Sequence, residues 1–247
     1  MMSWTSGSMV AFDLETTGTD IETDRIVTGA LVRLDPDGNP AEERTWLVDP
    51  GILIPAQAIA IHGITTEHAR THGAPTASVI TEITQAITEV LSSGTALVVM
   101  NARYDLSLLD RECRRHNVTP LTERLEAMPS PVIDPLVLDK HADQYRKGRR
   151  NLQALCAHYG VPLDDAHNAA ADAAAAARTA RRLGEKYSSI GSLPLADLHD
   201  LQVRAAAEQA ASLQRYLRRT SDATAYVESA WPVIPFSREE LGPLTRG

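Results

Sequence analysis

Five short segments rich in apolar and β-branched residues predict strands: Met9–Leu14, Arg25–Leu34, Glu43–Val48, Thr95–Met100 and Pro131–Asp134. The second and third segments flank the turn-rich stretch Asp35–Pro40, so we expect them to form a hairpin directly after the first strand. The first, fourth and fifth are short apolar runs, which is typical of strands buried inside a sheet.

Apolar residues at helical spacing predict six helices: Pro75–Leu91, Ala102–His116, Pro135–His141, Asn151–Tyr159, Asn168–Tyr187 and Leu195–Arg219. Gly94 is expected to follow the end of the first of these helices, and Gly160 to close the fourth. Three strands in succession, followed by strands that alternate with helices, indicate an α/β fold. The prediction is a mixed five-stranded sheet flanked by helices.

A boundary at Ser188–Pro194 divides the chain into two expected units. Residues 1–187 contain the sheet and its helices, and residues 188–247 form a C-terminal helical extension of unknown role. The helix Leu195–Arg219 in this extension carries an irregular apolar stripe. That stripe fits either packing on the core of the same chain or contact with a partner.

The 247 residues are 43% hydrophobic and 23% charged, with a formal net charge of −8. This composition excludes a wholly disordered or fibrous protein. The negative charge argues against a protein that coats duplex nucleic acid through bulk charge. It is compatible with an enzyme that acts on a nucleic acid end with metal ions in an acidic cleft.

Cys113 and Cys156 are too few for a disulfide framework and lack metal-ligand spacing, so we expect them to be reduced core thiols. The sequence shows neither a signal-peptide pattern nor an apolar run of membrane-spanning length. The protein is therefore expected to be cytoplasmic, with no membrane partner.

Acidic residues lie beside two predicted strands and in the last core helix. Asp13 and Glu15 are two positions apart on the first strand, so both carboxylates lie on one face, about 6–7 Å apart along the chain. Asp105 is in the first turn of the helix after the fourth strand, near the edge where open α/β sheets bind ligands. His167 is expected on the loop before the last core helix and Asp172 inside it, because an i, i+5 pair does not share a helix face.

Each of these features has a simpler structural explanation when it is taken alone. The Asp13–Glu15 pair fits an exposed approach to a turn, and Asp105 fits a favourable interaction with the helix dipole. His167 and Asp172 also fit surface positions near the start of an alanine-rich core helix. The order and context of all five residues together favour a functional site.

Three motifs in order carry a resemblance to a known family: FDLETTG, NARYDLSLLDRE and NLQALCAHYGVPLDDAHNAAADA. With the intermediate IHGIT they cover about residues 8–185, and the chain resembles the DEDDh, or DnaQ-like, 3′→5′ exonucleases. This family includes the proofreading epsilon subunit of bacterial DNA polymerase III. A Tyr four residues before the last Asp would mark the tyrosine subtype; Asn168 stands there, so the histidine subtype fits. The resemblance implies an RNase H-like fold.

The resemblance also implies a metal centre. Asp13, Glu15, Asp105 and Asp172 are then the ligands of two divalent cations, Mg²⁺ or Mn²⁺, and His167 is the general base. The hypothesis is that Asp13 bridges both ions, Glu15 and Asp172 complete one, and Asp105 supports the other through water. An all-oxygen ligand set suits Mg²⁺ or Mn²⁺ better than zinc.

By the same resemblance, eight residues are expected to bind substrate: Leu14, Thr16, Thr17, His62, Gly63, Ile64, Asn101 and Tyr104. Leu14, Thr16 and Thr17 would surround the sugar of the terminal nucleotide. The His62–Ile64 segment would cover the base of that nucleotide, and Asn101 and Tyr104 would line the cleft. The IHGIT segment equally fits a helix-start turn with a capping Thr. Met100 and Tyr104 depart from the His and Phe of many members, which bears on substrate fit. The basic run at Arg146–Arg150 fits either a site that binds the phosphates upstream of the cleaved bond or a solvated loop.

The expected activity is metal-dependent removal of nucleoside 5′-monophosphates from the 3′ end of single-stranded or frayed DNA. An exoribonuclease that trims RNA ends is the alternative, since the five residues do not distinguish the sugar. A non-catalytic module that binds 3′ ends is the third hypothesis. A DNA polymerase partner or a homodimer through the C-terminal helix is also considered, although the sequence has no convincing clamp-binding motif of the Q-x-x-L/M-x-F kind.

Overall fold

The computed structural model of the chain describes residues 3–163 and 166–237. Among these residues, six strands form one mixed sheet: β1 (Met9–Thr16), β2 (Ile26–Leu34), β3 (Pro40–Asp49), β4 (Ala74–Pro75), β5 (Leu97–Val98) and β6 (Val132–Ile133). The spatial order is β4-β3-β2-β1-β5-β6. β1, β2 and β3 pair antiparallel, whereas β5 and β6 continue the sheet parallel to β1, and β4 is parallel to β3.

Helices cover both faces of this sheet in the described ranges: α1 (Ala56–His62), α2 (Thr66–His72), α3 (Thr76–Ser92), α4 (Ala102–Arg115), α5 (Leu121–Arg124), α6 (Pro135–Ala142), α7 (Leu152–Tyr159), α8 (Ala169–Lys186), α9 (Ser188–Gly191) and α10 (Leu195–Thr220). A short 3-10 helix, Trp4–Ser6, precedes β1. None of these helices combines the length and apolar character needed to cross a lipid bilayer.

The side chains of β1 alternate between two core layers. Val10, Phe12 and Leu14 belong to the cluster that β1 forms with α3 and α4. Met9 and Ala11 belong to the cluster that it forms with α8. Asp13 and Glu15 have the parity of Met9 and Ala11, so they lie on the α8 side of the sheet.

α8 lies close to β1 and β2 because its inner face is built from alanine. Ala173, Ala176 and Ala180 are fully buried, and their small side chains let the helix backbone approach the strands. Near the other end of the helix, a Cβ on Gly184 would lie 2.6 Å from the Trp4 ring, so this position also requires a minimal side chain. The close approach brings the first turn of α8 to the end of β1.

The mixed α/β architecture is confirmed, but the predicted strand number is too low by one. The additional strand β4 has only two residues, which is too short to show a hydrophobic period. β5 and β6 also pair over two residues each, although Ala96 and Val99 beside β5 remain buried as part of the apolar run. The two free cysteines, Cys113 and Cys156, are buried as expected.

The C-terminal segment packs on its own chain. α10 lies against α6 and β6, and Gln202 of α10 is fully buried. The Gln202 amide donates to the carbonyl of Val132 at 2.9 Å and accepts from the backbone N–H of Asp134 at 2.6 Å. Farther along, Trp231 is 6% exposed and its indole N–H donates to the Asp134 carboxylate at 3.3 Å. Leu198 and Ala205 of the apolar stripe are also buried, so the first half of α10 packs on its own chain, whereas Leu213 is 49% exposed.

The division into domains 1–187 and 188–247 stays a prediction. Residues 1–2 and 238–247, which belong to these expected units, lie outside the described residues, as do Asp164 and Asp165 of the third motif.

Replacing Gln202 with alanine is expected to lower the free energy of unfolding by about 2–4 kcal/mol, because the buried N–H of Asp134 and C=O of Val132 lose their partner. Urea denaturation measures this change. The matched control is Gln153→Ala on the exposed side of α7, where we expect a change within about 0.5 kcal/mol. Equal losses in the two variants would contradict a supporting role for α10.

Candidate active site

The first acidic pair lies where β1 reaches the edge of the sheet. Asp13 and Glu15 keep their pairing with β2, and the register shifts only between Glu15 and Thr16. The parallel neighbour β5 ends its pairing with β1 at Val98. The carboxyl ends of β1 and β5 therefore bound a crevice, as at the ligand-binding edge of other open α/β sheets.

Asp105 reaches this crevice from the first turn of α4. Its side chain is buried, and its Oδ1 accepts a hydrogen bond from the backbone N–H of Leu14 at 3.2 Å. Leu14 lies between Asp13 and Glu15 in β1, so this bond attaches the start of α4 beside the first acidic pair.

A second buried carboxylate, Asp134 at the end of β6, holds the start of α4. It accepts hydrogen bonds from the backbone N–H groups of Asn101 at 3.1 Å and Ala102 at 3.0 Å, and from Leu136 at 2.9 Å. Sequence reasoning treated Asp134 only as the end of a strand and missed this role. The available signal was Asp followed by Pro135, which is typical of an N-cap with Pro at the first helical position.

The last two groups come from the start of α8. Asn168 caps the helix by accepting hydrogen bonds from the N–H groups of Ala170 and Ala171. His167 precedes the cap in a left-handed conformation, with φ 70°, and its ring is exposed. The backbone N–H of His167 donates to Oδ2 of Asp172 at 3.2 Å. The histidine therefore lies on the loop, and the aspartate inside the helix.

All five residues meet in the crevice. One ligand atom each from Glu15, His167 and Asp172 lies within 4.8 Å of the other two. The carboxylates of Asp105, Asp172 and Glu15 all act electrostatically on Asp13. The arrangement thus brings four carboxylates and one imidazole to the end of β1.

Burial and mutual repulsion strongly perturb these carboxylates. Burial raises the pKa of Asp13 well above its usual range, and repulsion from the other three carboxylates adds to the shift. Burial, together with Asp172, raises the pKa of Glu15 from 4.5 to about 7. The pKa of Asp105 is also raised by burial, although the N–H of Leu14 opposes the shift. Without a cation, the crevice therefore favours bound protons at neutral pH.

A cavity of 640 Å³ opens beside Glu15 and His167. Its far wall is the His62-Gly63-Ile64 turn, where α1 ends and Gly63 adopts a φ of 76°. Thr65 caps α2 by accepting from the N–H of His68 at 3.1 Å. Both expectations for the IHGIT segment therefore describe the same turn: it caps a helix and it lines the cavity.

The His62 ring is held by backbone groups at this wall. Its Nδ1 accepts from the N–H of Ile64 at 3.1 Å, so the hydrogen of a neutral ring is on Nε2. Burial lowers the pKa of His62, a hydrogen bond with the backbone of Thr16 opposes the decrease, and His167 adds to it. The ring is therefore positioned between the end of β1 and the turn that follows α1.

Two of the expected substrate residues are buried in the scaffold. Leu14 packs its side chain in the core with α3 and α4, and only its backbone N–H serves the site. Thr17 is 3% exposed; its hydroxyl donates to Asp24 at 2.7 Å and accepts from the N–H of Arg25 at 2.9 Å. The Leu14 side chain is thus part of the core, and the Thr17 hydroxyl is engaged in the loop after β1. Their contact with substrate stays a prediction.

Thr16 and Tyr104 lie together at the mouth of the crevice. Their hydroxyl oxygens are 2.9 Å apart, and both hydroxyls are within hydrogen-bond distance of the Gly18 carbonyl, at 2.7 and 2.5 Å. The Tyr104 hydroxyl, which a Phe would lack, therefore braces the loop after β1. Asn101 is exposed at a second cavity, which is bounded by α4, α6 and α10.

The basic run before α7 is partly used within the protein. Arg146 pairs with the carboxylate of Asp139 at 2.9 Å, and Arg150 contacts the same carboxylate. Lys147 and Arg149 are exposed. The run is therefore neither a uniform phosphate grip nor a fully solvated loop, because two of its cations hold it against α6.

Solved structures with a similar fold include exonuclease I of E. coli in complex with a dA16 oligonucleotide. The TM-score is 0.63 at 23% sequence identity, over 79% of this chain and 42% of that chain. Exonuclease I from Methylocaldum szegediense matches with a TM-score of 0.60 at 26% identity, over 85% of this chain and 46% of that one. These similarities confirm the expected RNase H-like exonuclease fold.

Sequence relatives include DNA polymerase III PolC-type of Lacticaseibacillus paracasei, which is 29% identical over 170 residues. The corresponding protein of Clostridium perfringens is 28% identical over 194 residues. The alignments cover 69% and 78% of this chain, but only 11% and 12% of those longer proteins.

The family model RNase_T, described as exonuclease, matches residues 10–180. This range contains all five residues of the crevice as well as the His62 turn. The chain belongs to the RNase_T exonuclease family.

Proposed function

We propose that the protein is a metal-dependent exonuclease that removes nucleoside 5′-monophosphates from the 3′ end of single-stranded or frayed DNA. The observation that carries this proposal is the convergence of four carboxylates and His167 at the end of β1. Because one fold can support many functions, the proposed activity is inferred from this site and not from the fold alone.

The donor set fits divalent cations. Carboxylates at this spacing repel one another, and a cation among them removes the penalty. Asp13, Glu15, Asp105 and Asp172 would hold the ions, and oxygen ligands favour Mg²⁺ or Mn²⁺. Two bound ions would supply charge stabilisation for the attacking and leaving oxygens of the phosphodiester. E. coli exonuclease I has a zinc-bound form, so Zn²⁺ belongs among the ions to be tested.

His167 is the proposed general base. Its backbone is held by Asp172 while its ring is exposed beside the crevice, so the ring can turn toward an attacking water. An imidazole nitrogen accepts a proton near neutral pH and can then release it to solvent. His62 and Gly63 are proposed to contact the terminal nucleotide in the 640 Å³ cavity that they line.

DNA is favoured over RNA as the substrate. Exonuclease I of E. coli has been crystallised with dA16 and dT13 oligonucleotides, and the PolC-type relatives are DNA polymerases. The crevice residues are compatible with either sugar, so an exoribonuclease is the competing function. A polymerase partner or a homodimer through α10 stays a prediction.

Asp13→Ala is expected to abolish stepwise shortening of a 5′-labelled DNA strand, because the site loses its central carboxylate. His167→Ala is expected to lower kcat by about 10²–10⁴-fold, the usual contribution of a general base. Denaturing electrophoresis with Mg²⁺, Mn²⁺ or Zn²⁺ follows the products. Asp37→Ala and His158→Ala, both exposed and outside the lining of either cavity, are the matched controls. Full activity in the first two variants would contradict the assigned roles.

Strands of identical sequence in DNA and RNA are expected to be degraded at different rates, with the higher kcat/KM for DNA. Single-turnover and steady-state measurements on both strands decide the sugar preference. A higher kcat/KM for RNA would favour the exoribonuclease. Tight end binding without turnover under every divalent ion would favour the non-catalytic module.

The metal-free protein is expected to lose stability as the pH rises from about 4.5 to 7. In this window folded Glu15, with its pKa of about 7, keeps a proton that the unfolded chain releases, so the higher pH favours unfolding. Thermal unfolding with chelator across this range measures the slope. Glu15→Gln should flatten it, whereas the exposed control Glu67→Gln should not. Identical slopes in wild type and Glu15→Gln would refute this electrostatic account.

A further inference from the structure

The second cavity, of 810 Å³, is within the usual size of ligand-binding sites. It lies between the start of α4, α6 and α10, and Asp134 and Trp231 contribute to its lining. We call it the α10 groove and define it by Asn101, Arg103, Lys140, Arg150, Gln209 and Arg215.

Three cations converge in the α10 groove. Burial lowers the pKa of Lys140, and Asp134 opposes this shift more strongly than any other charge; Arg150 and Arg103 add to the decrease, and Asp139 opposes it. Like charges at close range raise the free energy of a site. An anionic ligand in the groove would act with Asp134 to offset the repulsion among the three cations.

The neighbouring carboxylates are already engaged. The Asp134 side chain accepts hydrogen bonds from three backbone N–H groups and one indole, and Asp139 is paired with Arg146 and Arg150. The side chain of Lys140 makes no hydrogen bond or ion pair within residues 3–163 and 166–237. Its ammonium group therefore has donors available for a ligand.

α10 forms the opposite wall of the groove, and it lies outside the range 10–180 that the family model matches. Arg215 and Tyr216 on this wall are exposed, and Glu208 is its one carboxylate among the described lining residues. Arg103 donates through Nη1 to the Glu228 carbonyl at 2.8 Å, while its buried Nε has no hydrogen-bond partner in the described part of the chain. In a chain with a net charge of −8, this is a local concentration of positive charge.

The carboxylate crevice adjoins both cavities. The 640 Å³ cavity is lined by Glu15, His62 and His167, whereas Asn101, one helical turn before Asp105, lines the α10 groove. A strand with its terminal nucleotide in the first cavity and its scissile phosphate at the carboxylates would reach the α10 groove if it continued past the start of α4.

We infer that the α10 groove binds the backbone phosphates of the strand upstream of the nucleotide that is removed. Lys140, Arg103 and Arg215 are the phosphate-binding groups, and the C-terminal extension thereby determines how strongly long strands are held. The inference rests on the proposed exonuclease function, but its binding step requires no catalysis.

Lys140→Gln is the direct test, since it removes the charge and keeps most of the stem. For single-stranded DNA of about 12 nucleotides, we expect Kd at low salt to rise about tenfold. The slope of log Kd against log salt concentration should decrease in magnitude by about 0.7 for the lost phosphate contact. Fluorescence anisotropy with chelator measures binding without hydrolysis. Lys140→Arg should retain wild-type binding, and so should Lys186→Gln, the same substitution on the exposed end of α8.

Substrate length provides a second readout. With a divalent ion, the loss of kcat/KM in Lys140→Gln should be larger for strands of about 12 nucleotides than for strands of about 3, which end before the groove. Thermal unfolding verifies that the variant is folded. If it is not, Arg215→Gln on the exposed wall of α10 tests the same groove, with Arg182→Gln on α8 as its control.

Two outcomes separate this inference from the proposed function. If the wild type cuts DNA but the groove variants bind long strands as their controls do, the groove inference is overturned. If binding weakens in Lys140→Gln although the wild type cuts no nucleic acid with any divalent ion, the groove binds strands and the proposed exonuclease activity is overturned.

Discussion

The molecule is organised around the repulsion between four carboxylates that converge at the end of β1. Burial and proximity raise the pKa values of Asp13 and Glu15, so this arrangement costs folding free energy when no cation is near. The carboxylates are fixed in place by regular secondary structure. Two of them belong to β1, Asp105 belongs to α4 and Asp172 belongs to α8, so the chain cannot separate them without disrupting these elements. The unfavourable electrostatics therefore follow from this arrangement, and a cation among the carboxylates would relieve them.

The supports of this arrangement extend far beyond the crevice. Asp134 binds the first N–H groups of α4, and the C-terminal segment contacts Asp134 through Gln202 and Trp231. A shift of α10 would reach Asp105 through two hydrogen-bonded steps. The extension is thus connected to the carboxylate crevice and also lines the α10 groove.

The substrate side of the site depends on details that motif matching does not provide. The resemblance assigns Leu14 and Thr17 to substrate binding. In the structure the Leu14 side chain packs in the core, and the Thr17 hydroxyl donates a hydrogen bond to Asp24 in the loop after β1. His62, by contrast, lines the cavity beside the crevice. Backbone alternation and hydrogen-bond competition decide which members of a motif face the ligand.

The sequence by itself determined the strands, the main helices and the five residues of the crevice, because hydrophobic periodicity and motif spacing are local properties of the chain. Alternation along β1 already placed Asp13 and Glu15 on one face. Only the tertiary structure revealed the role of Asp134, the two-residue strand β4 and the α10 groove. Each of these arises from residues distant in sequence that meet through packing, and no local pattern encodes such long-range contacts.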